Sequence, residues 1–422
     1  MARTDALVLG AGIVGTSVAL HLAKRGLSVA LLDRRAPGEE TSYGNAGVIE
    51  GNTIFPPVFP SRLAALLRVA LKRATEADYH LSSLLRVAPW LLQFRAYSRP
   101  ERLLETVKAM RPLFAQAVAE HQALAVESGA QGYFRQEGWL KIYRSKAGLD
   151  AIAPELALAA ELKLPNKVLG RDETLALEPH LAPVFDHAVH WTGASSVTNP
   201  LALTRAYAAR FAALGGVVLR GDARSLHRAA GRWRVDTSEG PIDADDAVMA
   251  LGPWAPDLLL SRGIDLPLAV KRGYHRHFAI RDGAKLGRPV VDIENGFAIA
   301  PMKQGIRVTT GAEFADRDAP ATPVQLRRVL PIAKALVPLG EPVDARPWMG
   351  SRPCFADSRP VIGRAPGHPG LWLAYGHGHV GLSLGPVTGR LIAEMITGEV
   401  PFCDPAPYAA ERFGKRPMAN SA

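Results

Sequence analysis

The chain of 422 residues is long enough for two domains, and its 48% hydrophobic and 21% charged residues are ordinary for a globular enzyme. A net charge of +10 favours anionic partners, but the basic residues are dispersed, which argues against nucleic-acid binding. The two cysteines, Cys354 and Cys403, form neither a metal-ligand pair nor a disulfide framework. We therefore predict no metal site and expect a reducing, cytoplasmic compartment.

The first segment, "ALVLGAGIVGTSVALHLA" at residues 6–23, carries no charge. It predicts a buried strand, a glycine turn and a helix, and "LSVALLDRR" predicts a second strand that ends at Asp33. Gly10, Gly12 and Gly15 have the spacing of a dinucleotide-binding turn, which brings the backbone and a helix N-terminus to a pyrophosphate. Asp33 stands where a carboxylate would accept hydrogen bonds from a ribose. Basic residues follow the apolar run, and these argue against a signal peptide.

The loop after the second strand, "EETSYGNAGVIEG", is rich in small polar residues. Such a loop can bring backbone N–H groups against phosphates and a flat ring, although a plain surface loop is the alternative interpretation. Arg34 and Arg35 suit a 2′-phosphate, but Asp33 would repel one, which disfavours NADP.

The middle of the chain begins with a helical region at 61–127, which we interpret as a cap with an interruption at Pro89 and Trp90. The alternative is that "SRLAALLRVALKRA" contacts an anionic membrane surface. "NPLALTRAYAARFAALGG" then predicts a helix, and "VVLRGDA" and "DDAVMALGPWAP" predict strands of the cofactor domain. "LAVKRGYHRHFAI", "VVDIEN", "GFAIAP" and "IRVTTGAEF" predict an antiparallel sheet. "YGHGHVGLSLGPVTGRL" joins a strand to a helix that begins near Leu382.

Seven motifs follow one another along the chain in this order: "GAGIVG", "TSYGNAG", "RGYH", "APMKQGIRVTTGAEF", "WMGSRP", "DSRPVIG" and "YGHGHVGLSLGPVTGRLIAEMITG". In this the sequence resembles the FAD-dependent D-amino-acid dehydrogenases of the glycine oxidase and D-amino-acid oxidase superfamily, up to about residue 413. The resemblance implies an α/β fold, with a Rossmann-like FAD-binding domain and an interleaved substrate domain of antiparallel sheet plus helices. We expect the FAD-binding domain at 1–60, 146–262 and 346–413, the substrate domain at 61–145 and 263–345, and a flexible tail at 414–422.

The resemblance also implies a chemistry. FAD would bind without a covalent bond, and a D-amino acid would be oxidised by hydride transfer to flavin N5, giving a 2-oxo acid and ammonia. Electrons would pass to a quinone or another acceptor, with peripheral contact at the inner face of the cytoplasmic membrane as a further expectation. The alternatives are a hydroxy-D-proline or N-methyl amino acid dehydrogenase, a glycine oxidase that uses oxygen, a flavin-bearing nucleic-acid modification domain and a redox-inactive FAD scaffold.

Three residues are the catalytic candidates. Arg352, in "WMGSRP", offers a planar fork that matches the substrate carboxylate, unless it pairs with Asp357. Tyr274 would face the flavin and add a second hydrogen bond, unless it only packs in the sheet. His379 matches a position that carries a substrate-contacting residue in glycine oxidases, whereas His377 is the weaker candidate. The predicted FAD-binding residues are Gly10, Gly12, Ile13, Val14, Gly15, Asp33, Arg34, Thr41, Ser42, Asn45, Ala46, Gly47, Ala223, Gly252, Trp254, Gly378, His379, Val380, Gly381 and Leu382.

Overall fold

The computed structural model of this chain describes residues 2–51 and 55–414. The strands, in chain order, are β1 (Ala2–Leu9), β2 (Val29–Asp33), β3 (Val48–Ile49), β4 (Ala77–Tyr79), β5 (Phe134–Arg135), β6 (Trp139–Tyr143), β7 (Asn166–Gly170), β8 (His187–Trp191), β9 (Ser195–Val197), β10 (Val217–Arg220), β11 (His227–Ala229), β12 (Arg232–Thr237), β13 (Gly240–Met249), β14 (Leu268–Ile280), β15 (Val290–Asp292), β16 (Phe297–Met302), β17 (Gly305–Thr310), β18 (Ala312–Phe314), β19 (Leu339–Pro342), β20 (Trp348–Phe355), β21 (Val361–Arg364) and β22 (Leu371–Tyr375). The α-helices are α1 (Ile13–Lys24), α2 (Leu63–Ala70), α3 (Leu84–Tyr97), α4 (Pro100–Glu127), α5 (Lys146–Asp150), α6 (Ala153–Glu161), α7 (Arg171–Leu177), α8 (Pro200–Ala213), α9 (Ala255–Leu259), α10 (Val324–Leu336) and α11 (Gly381–Thr397).

The first sheet has a parallel centre, in which β10, β2, β1, β13 and β22 lie side by side. β12 pairs antiparallel with the first half of β13, and β11 pairs antiparallel with β12, so these two strands extend the sheet. β21 pairs antiparallel with β22. Helices α1, α8 and α11 pack together against one face of this sheet. Ten of the twelve residues of α1 are buried, which explains why the opening segment carries no charge. The α/β fold with a Rossmann-like unit predicted from the sequence is thus confirmed.

The second sheet has eleven strands, and β14 is its longest member. Most pairs are antiparallel as predicted, but β15 runs parallel to β6 and β18 runs parallel to β4, so the sheet is mixed. Helix α10 and the inner residues of β14, β16 and β17 enclose a separate apolar core. A third, small sheet contains β3, β9 and β5.

The strand pairing differs from the expected domain boundaries in two places. β7 and β8 fall in the segment assigned to the FAD-binding domain, yet β7 pairs with β8 and β8 pairs with β6 in the second sheet. β20 pairs with β14 over eight residues, so the chain returns to the first sheet only at β21 and not near Arg346. Short apolar strands fit either sheet equally well by pattern, because their partners are distant in the sequence.

The helical region at 61–127 is also organised differently from the prediction. Helix α3 continues through Pro89, and the chain breaks after Tyr97 instead, just before Pro100 begins α4. β4 interrupts the helices and joins the second sheet through β18. Within the described ranges, no helix combines the length and the apolar character needed to span a bilayer. The predicted flexible tail, apart from Gly414, lies outside the described residues.

Candidate active site

A cavity of about 680 Å³ lies between the two large sheets. Its walls on one side are the turns that follow β1, β2, β13 and β22, so it opens at the carboxyl ends of the parallel strands. This edge is where open α/β sheets bind their ligands. The opposite wall comes from β14, β17 and β20 of the second sheet.

The turn between β1 and α1 depends on its three glycines. Gly10 has φ +104°, and a Cβ there would lie 2.5 Å from the Ala250 carbonyl oxygen. A Cβ on Gly15 would lie 1.8 Å from the Gly10 oxygen, so Gly15 permits close packing of the helix on the turn. Gly12 is the N-cap residue of α1 and borders the cavity, and the first helical turn contains no acidic residue. This helix end therefore favours an anion.

The carboxyl end of β2 carries the predicted ribose ligand. The Asp33 carboxylate accepts the Ala11 N–H at 2.7 Å and the Arg35 N–H at 3.0 Å, and it borders the cavity. These two bonds fix the carboxylate and leave lone pairs for a ligand hydroxyl. Nearby, the Arg34 guanidinium lies 4.6 Å from the centre of a Trp254 ring, which forms another part of the same wall.

The loop at 41–47 is held against the cavity by polar contacts with both sheets. Ser42 Oγ accepts the Ile13 N–H at 2.9 Å, and the Asn45 amide donates to the His379 carbonyl at 3.2 Å. The buried Arg307 of β17 donates to the Tyr43 carbonyl at 2.8 Å. A Cβ on Gly44 would overlap the Trp348 ring at 1.7 Å, so this tryptophan fits only against a glycine. The small residues of the loop therefore serve close packing.

Most of the predicted FAD-binding residues converge on this one cavity. Those that border it are Gly10, Gly12, Ile13, Val14, Asp33, Arg34, Thr41, Ser42, Asn45, Ala223, Gly252, Trp254, Gly378, His379, Gly381 and Leu382. Gly15, Ala46, Gly47 and Val380 are absent from its lining; Val380 borders a smaller adjoining compartment. Their assignment as direct cofactor contacts stays a prediction.

Arg352 projects from β20 into this cavity. Its guanidinium donates to the carbonyls of Gly311 at 2.7 Å and Thr310 at 3.1 Å, both of which are neutral. Asp357, the alternative partner, instead pairs with Arg359 and Arg412. In the part of the chain that the structure describes, no carboxylate forms an ion pair with Arg352. Burial lowers the pKa of Arg352, but an arginine remains charged in a protein, so the cavity contains an uncompensated cation.

His379 borders the cavity where β22 turns into α11. His379 is exposed on the cavity wall, and its pKa is lowered by desolvation, with smaller contributions from Arg352 and Lys271. The imidazole is therefore neutral at physiological pH. His377 is more deeply buried, bonds the Thr388 hydroxyl at 2.9 Å and has its pKa lowered by burial to about 3. Of the two, His379 has the better access to a ligand.

Helix α11 begins beside these histidines and points its N-terminus at the cavity. Val380 caps it without a side-chain hydrogen bond, and its first turn contains no acidic residue. Gly381 and Leu382 border the cavity, while the buried His121 fixes the Leu382 carbonyl with a contact of 2.7 Å. The positive end of the helix dipole thus favours negative charge at this place.

The hydroxyl of Tyr274, the second predicted contact of the substrate carboxylate, is bonded within the fold. Although the residue borders the cavity, its hydroxyl donates to Glu313 at 2.8 Å and accepts the Thr322 N–H at 2.8 Å. Arg272 completes this buried network. Lys271 lies opposite Arg352 in the β14–β20 ladder, so Tyr274, three residues further along β14, points to the other face. Its hydroxyl faces Glu313, and its predicted hydrogen bond to the substrate carboxylate stays a prediction.

Sequence reasoning missed three residues that shape the site: Arg307, Trp348 and Lys271. Arg307 and Trp348 act through contacts with the loop at 41–47, more than 250 residues away in the sequence. Lys271 lies beside Arg352 across the ladder. A lysine directly before "RGYH" was the available signal for Lys271.

Comparison with known proteins agrees with this geometry. Residues 5–395 match the model of the DAO family, described as FAD dependent oxidoreductase. The chain is 31% identical over 422 residues to D-amino acid dehydrogenase 2 of Ralstonia nicotianae, covering 96% of this chain and 99% of that protein. It is 29% identical to the D-amino-acid oxidase of Bradyrhizobium diazoefficiens, covering 96% of this chain and 98% of that protein.

Among solved structures, the chain resembles glycine oxidase from Geobacillus kaustophilus, with a TM-score of 0.75, 23% identity and coverage of 98% of this chain and 99% of that one. It also resembles iminodiacetate oxidase from Chelativorans sp. BNC1, with a TM-score of 0.72, 24% identity and coverage of 96% and 98%. Together these matches define an α/β flavoprotein fold. The chain belongs to the DAO family of FAD-dependent oxidoreductases.

The residues present fit the cofactor of this family. The side-chain-free Gly12 at the start of α1 leaves room for a pyrophosphate, and the fixed Asp33 carboxylate suits a ribose. The start of α11 suits the end of the cofactor that gains negative charge on reduction. Cys354 has its thiol pKa raised by burial, so a nucleophilic thiolate is disfavoured there.

Proposed function

We propose that this enzyme oxidises D-amino acids to imines, which water hydrolyses to 2-oxo acids and ammonia. The observation that carries the proposal is Arg352, a charged fork without an acidic partner in the described structure, placed on the wall opposite the nucleotide turn. A substrate α-carboxylate would supply the missing anion. The names of the relatives, D-amino acid dehydrogenase and D-amino-acid oxidase, support the choice of substrate class.

The chain contributes orientation and electrostatics to this reaction. Two carbonyls, those of Thr310 and Gly311, fix the Arg352 guanidinium, so little side-chain entropy is lost when a carboxylate binds. A Cβ on Gly273 would lie 2.3 Å from Arg352 Nη2, so the absence of a side chain at Gly273 leaves space for the Arg352 guanidinium. FAD held in this cavity would supply the acceptor for the hydride of the α-carbon.

His379 is the side chain we assign to the substrate amine. Its lowered pKa keeps the imidazole neutral, so a ring nitrogen accepts a hydrogen bond from the amine and the ring itself carries no positive charge. A neutral amine is required for hydride loss.

The proposal is tested by anaerobic reduction of the purified holoenzyme. The flavin absorbance is followed after addition of D- and L-enantiomers of several amino acids, and of glycine, sarcosine and the hydroxyprolines. We expect D-amino acids to bleach the flavin and to yield one 2-oxo acid per flavin. Bleaching only by sarcosine, by glycine or by hydroxy-D-proline would replace the proposal with the corresponding alternative, and an unchanged spectrum with every compound would contradict it.

We further propose that electrons leave to a quinone at an anionic membrane surface. No residue of α2 is buried, and Leu63, Leu67 and Leu71 are 71%, 51% and 61% exposed along one face. In α3, Leu85 is 90% exposed. Exposed basic residues lie among them: Arg62, Arg68, Arg73, Arg86 and Arg95. Apolar side chains interspersed with basic ones are the pattern by which a helix lies on an anionic bilayer.

The position of α3 supports this route. Its outer face exposes leucines, while Trp90 and Phe94 on its inner face are buried against Cys354 of β20. One helix therefore connects the exposed apolar surface to the wall beside Arg352. A lipid-soluble acceptor that reaches this surface would have α3 between it and β20, which carries Arg352.

A further inference from the structure

Lys271 presents an ammonium group that is surrounded by aromatic rings. Its Nζ lies 4.4 Å from the ring centre of Phe94, 4.7 Å from that of Trp90 and 5.9 Å from that of Phe314. In residues 2–51 and 55–414, no hydrogen bond or ion pair involves this nitrogen. Cation–π contacts stabilise a charge at such a place but do not neutralise it. Lys271 is therefore a second cation without an anion.

The two unpaired cations are neighbours. Lys271 and Arg352 are directly paired residues of the β14–β20 ladder, so their side chains leave the sheet on the same face with Cβ atoms about 5 Å apart. Burial lowers the pKa of Lys271, and Arg352 lowers it further, against an opposing contribution from Cys354. Two adjacent positive charges away from bulk water repel each other, and anionic ligands would relieve that repulsion.

Lys271 also faces its own space. It borders a compartment of about 50 Å³ that shares Gly376, His377, Gly378 and His379 with the main cavity. The other walls are mainly apolar: Phe55, Pro56, Pro57, Met110, Phe114 and Val380. Since a water needs about 10–15 Å³ of such volume, the compartment suits a short side chain.

We propose that the substrate carries a carboxylate on its side chain, which binds Lys271 while Arg352 binds its α-carboxylate. The substrate class is then the acidic D-amino acids, of the size of D-aspartate and D-glutamate. This inference rests on the proposed oxidation of D-amino acids at the same site.

The aromatic cage favours this role over that of a general base. Three ring faces stabilise the ammonium form of Lys271 by cation–π attraction, which a neutral amine does not have. A base that removed the proton of the substrate would need the neutral form. An anion-binding lysine needs the charged form, which is the one that this cage selects.

The first test measures binding to the oxidised holoenzyme and needs no turnover. The flavin absorbance is titrated with succinate and glutarate, and with propionate and butyrate as monocarboxylate controls. We expect the dicarboxylates to bind about tenfold more tightly or better, since they gain a second charge-assisted hydrogen bond. Equal affinities for dicarboxylates and monocarboxylates would overturn the assignment. Because this comparison uses only the wild-type protein, it does not depend on the folding of any variant.

Variants locate the effect. Lys271→Met keeps the length of the side chain and should abolish the dicarboxylate preference. Lys72→Met is the matched control, since Lys72 also lies over one aromatic ring, that of Tyr79 at 4.8 Å, but is exposed and lies outside both cavities. A preference that survived in Lys271→Met, or that was lost equally in Lys72→Met, would contradict the proposal.

Anaerobic reduction separates this inference from the proposed function. D-aspartate and D-glutamate should reduce the flavin with a kcat/KM at least about tenfold higher than D-asparagine and D-glutamine, which match them in shape. If the amides react equally well, the acidic subsite is wrong while D-amino acid oxidation stands. If no D-amino acid reacts although dicarboxylates bind preferentially, the proposed function fails and the anion site at Lys271 remains.

Discussion

Neighbouring residues of β14 show how the parity of a strand assigns roles. Lys271 borders the smaller compartment and Gly273 leaves room for Arg352, whereas the side chains of Arg272 and Tyr274 bond Glu313 in a buried network. The motif "RGYH" indicated that this strand borders the site. It did not indicate which face does so, because the partner Glu313 comes from a different strand 39 residues away from Tyr274.

The substitution Tyr274→Phe tests this placement. It removes a hydroxyl that bonds Glu313 and Thr322, and we expect a loss of about 1–3 kcal/mol in the free energy of unfolding. The KM and kcat for a D-amino acid should stay within about twofold of wild type, because the lost hydroxyl bonds Glu313 and Thr322 and the hydrogen bonds of Arg352 are unchanged. Denaturant unfolding and steady-state kinetics measure the two effects.

Tyr133→Phe is the control for Tyr274→Phe. Tyr133 is partly buried and packs against an apolar core, and its hydroxyl makes no hydrogen bond within the described structure. It should therefore change neither stability nor kinetics. A tenfold rise in KM for Tyr274→Phe with unchanged stability would instead show that the Tyr274 hydroxyl contacts the substrate.

At the scale of elements, the best-predicted unit is β1–α1–β2. Its glycines, apolar runs and terminal acid are local signals, and the strands and helix form where the sequence placed them. The start of α11 was also predicted within one residue. The course of α3 through Pro89 was not, because Trp90 and Phe94 pack against β20 and stabilise a helix that local propensity would interrupt.

Gly12→Ala tests whether the start of α1 binds the cofactor. Gly12 has φ −68°, and a Cβ there would meet only Ser42 Oγ at 3.3 Å, so the protein should fold. The same Cβ borders the cavity, and crowding of a bound pyrophosphate should weaken FAD binding by about 1–3 kcal/mol. The dissociation constant of FAD is measured by reconstitution of the apoprotein.

The matched control is Gly132→Ala, in which the added Cβ has no atom within 4 Å. This variant should bind FAD with the affinity of the wild type. Unchanged FAD affinity in Gly12→Ala would show that the pyrophosphate does not approach this turn.

At the scale of the whole molecule, the chain crosses repeatedly between two sheets, and the site lies where they face each other. The sequence analysis assigned 146–262 and 346–413 to the FAD-binding domain and did not predict that β7, β8 and β20 join the second sheet. That choice depends on pairing between segments far apart in the chain. The cavity collects residues from both sheets, so Arg352 and the nucleotide turn meet only in the folded protein.

The exposed leucine face gives a prediction at this scale. The triple substitution of Leu63, Leu67 and Leu71 by serine should abolish co-sedimentation with vesicles that contain phosphatidylglycerol, because it removes the apolar side chains that would enter the bilayer. Flavin reduction in solution should be unchanged. Binding of the wild type should fall at high salt, since screening weakens the contribution of the arginines.

The control for the triple substitution is the double variant Leu260→Ser/Val400→Ser, since both residues are also strongly exposed but lie elsewhere in the fold. This variant should bind vesicles as the wild type does. Failure of the wild-type protein to co-sediment with anionic vesicles at low salt would refute the proposed membrane contact.

The central claim is that Arg352 binds the carboxylate of a D-amino acid, and one measurement tests it most directly. The rate of anaerobic flavin reduction is compared for a D-amino acid and its C-terminal amide, in wild type, in Arg352→Met and in Arg327→Met, an exposed control on α10. We predict that Arg352→Met retains FAD but loses about 30-fold or more in kcat/KM for the acid, the loss expected for a buried ion pair worth about 2–5 kcal/mol, and no longer distinguishes acid from amide. A variant that keeps FAD and still prefers the acid as strongly as the wild type would contradict the claim.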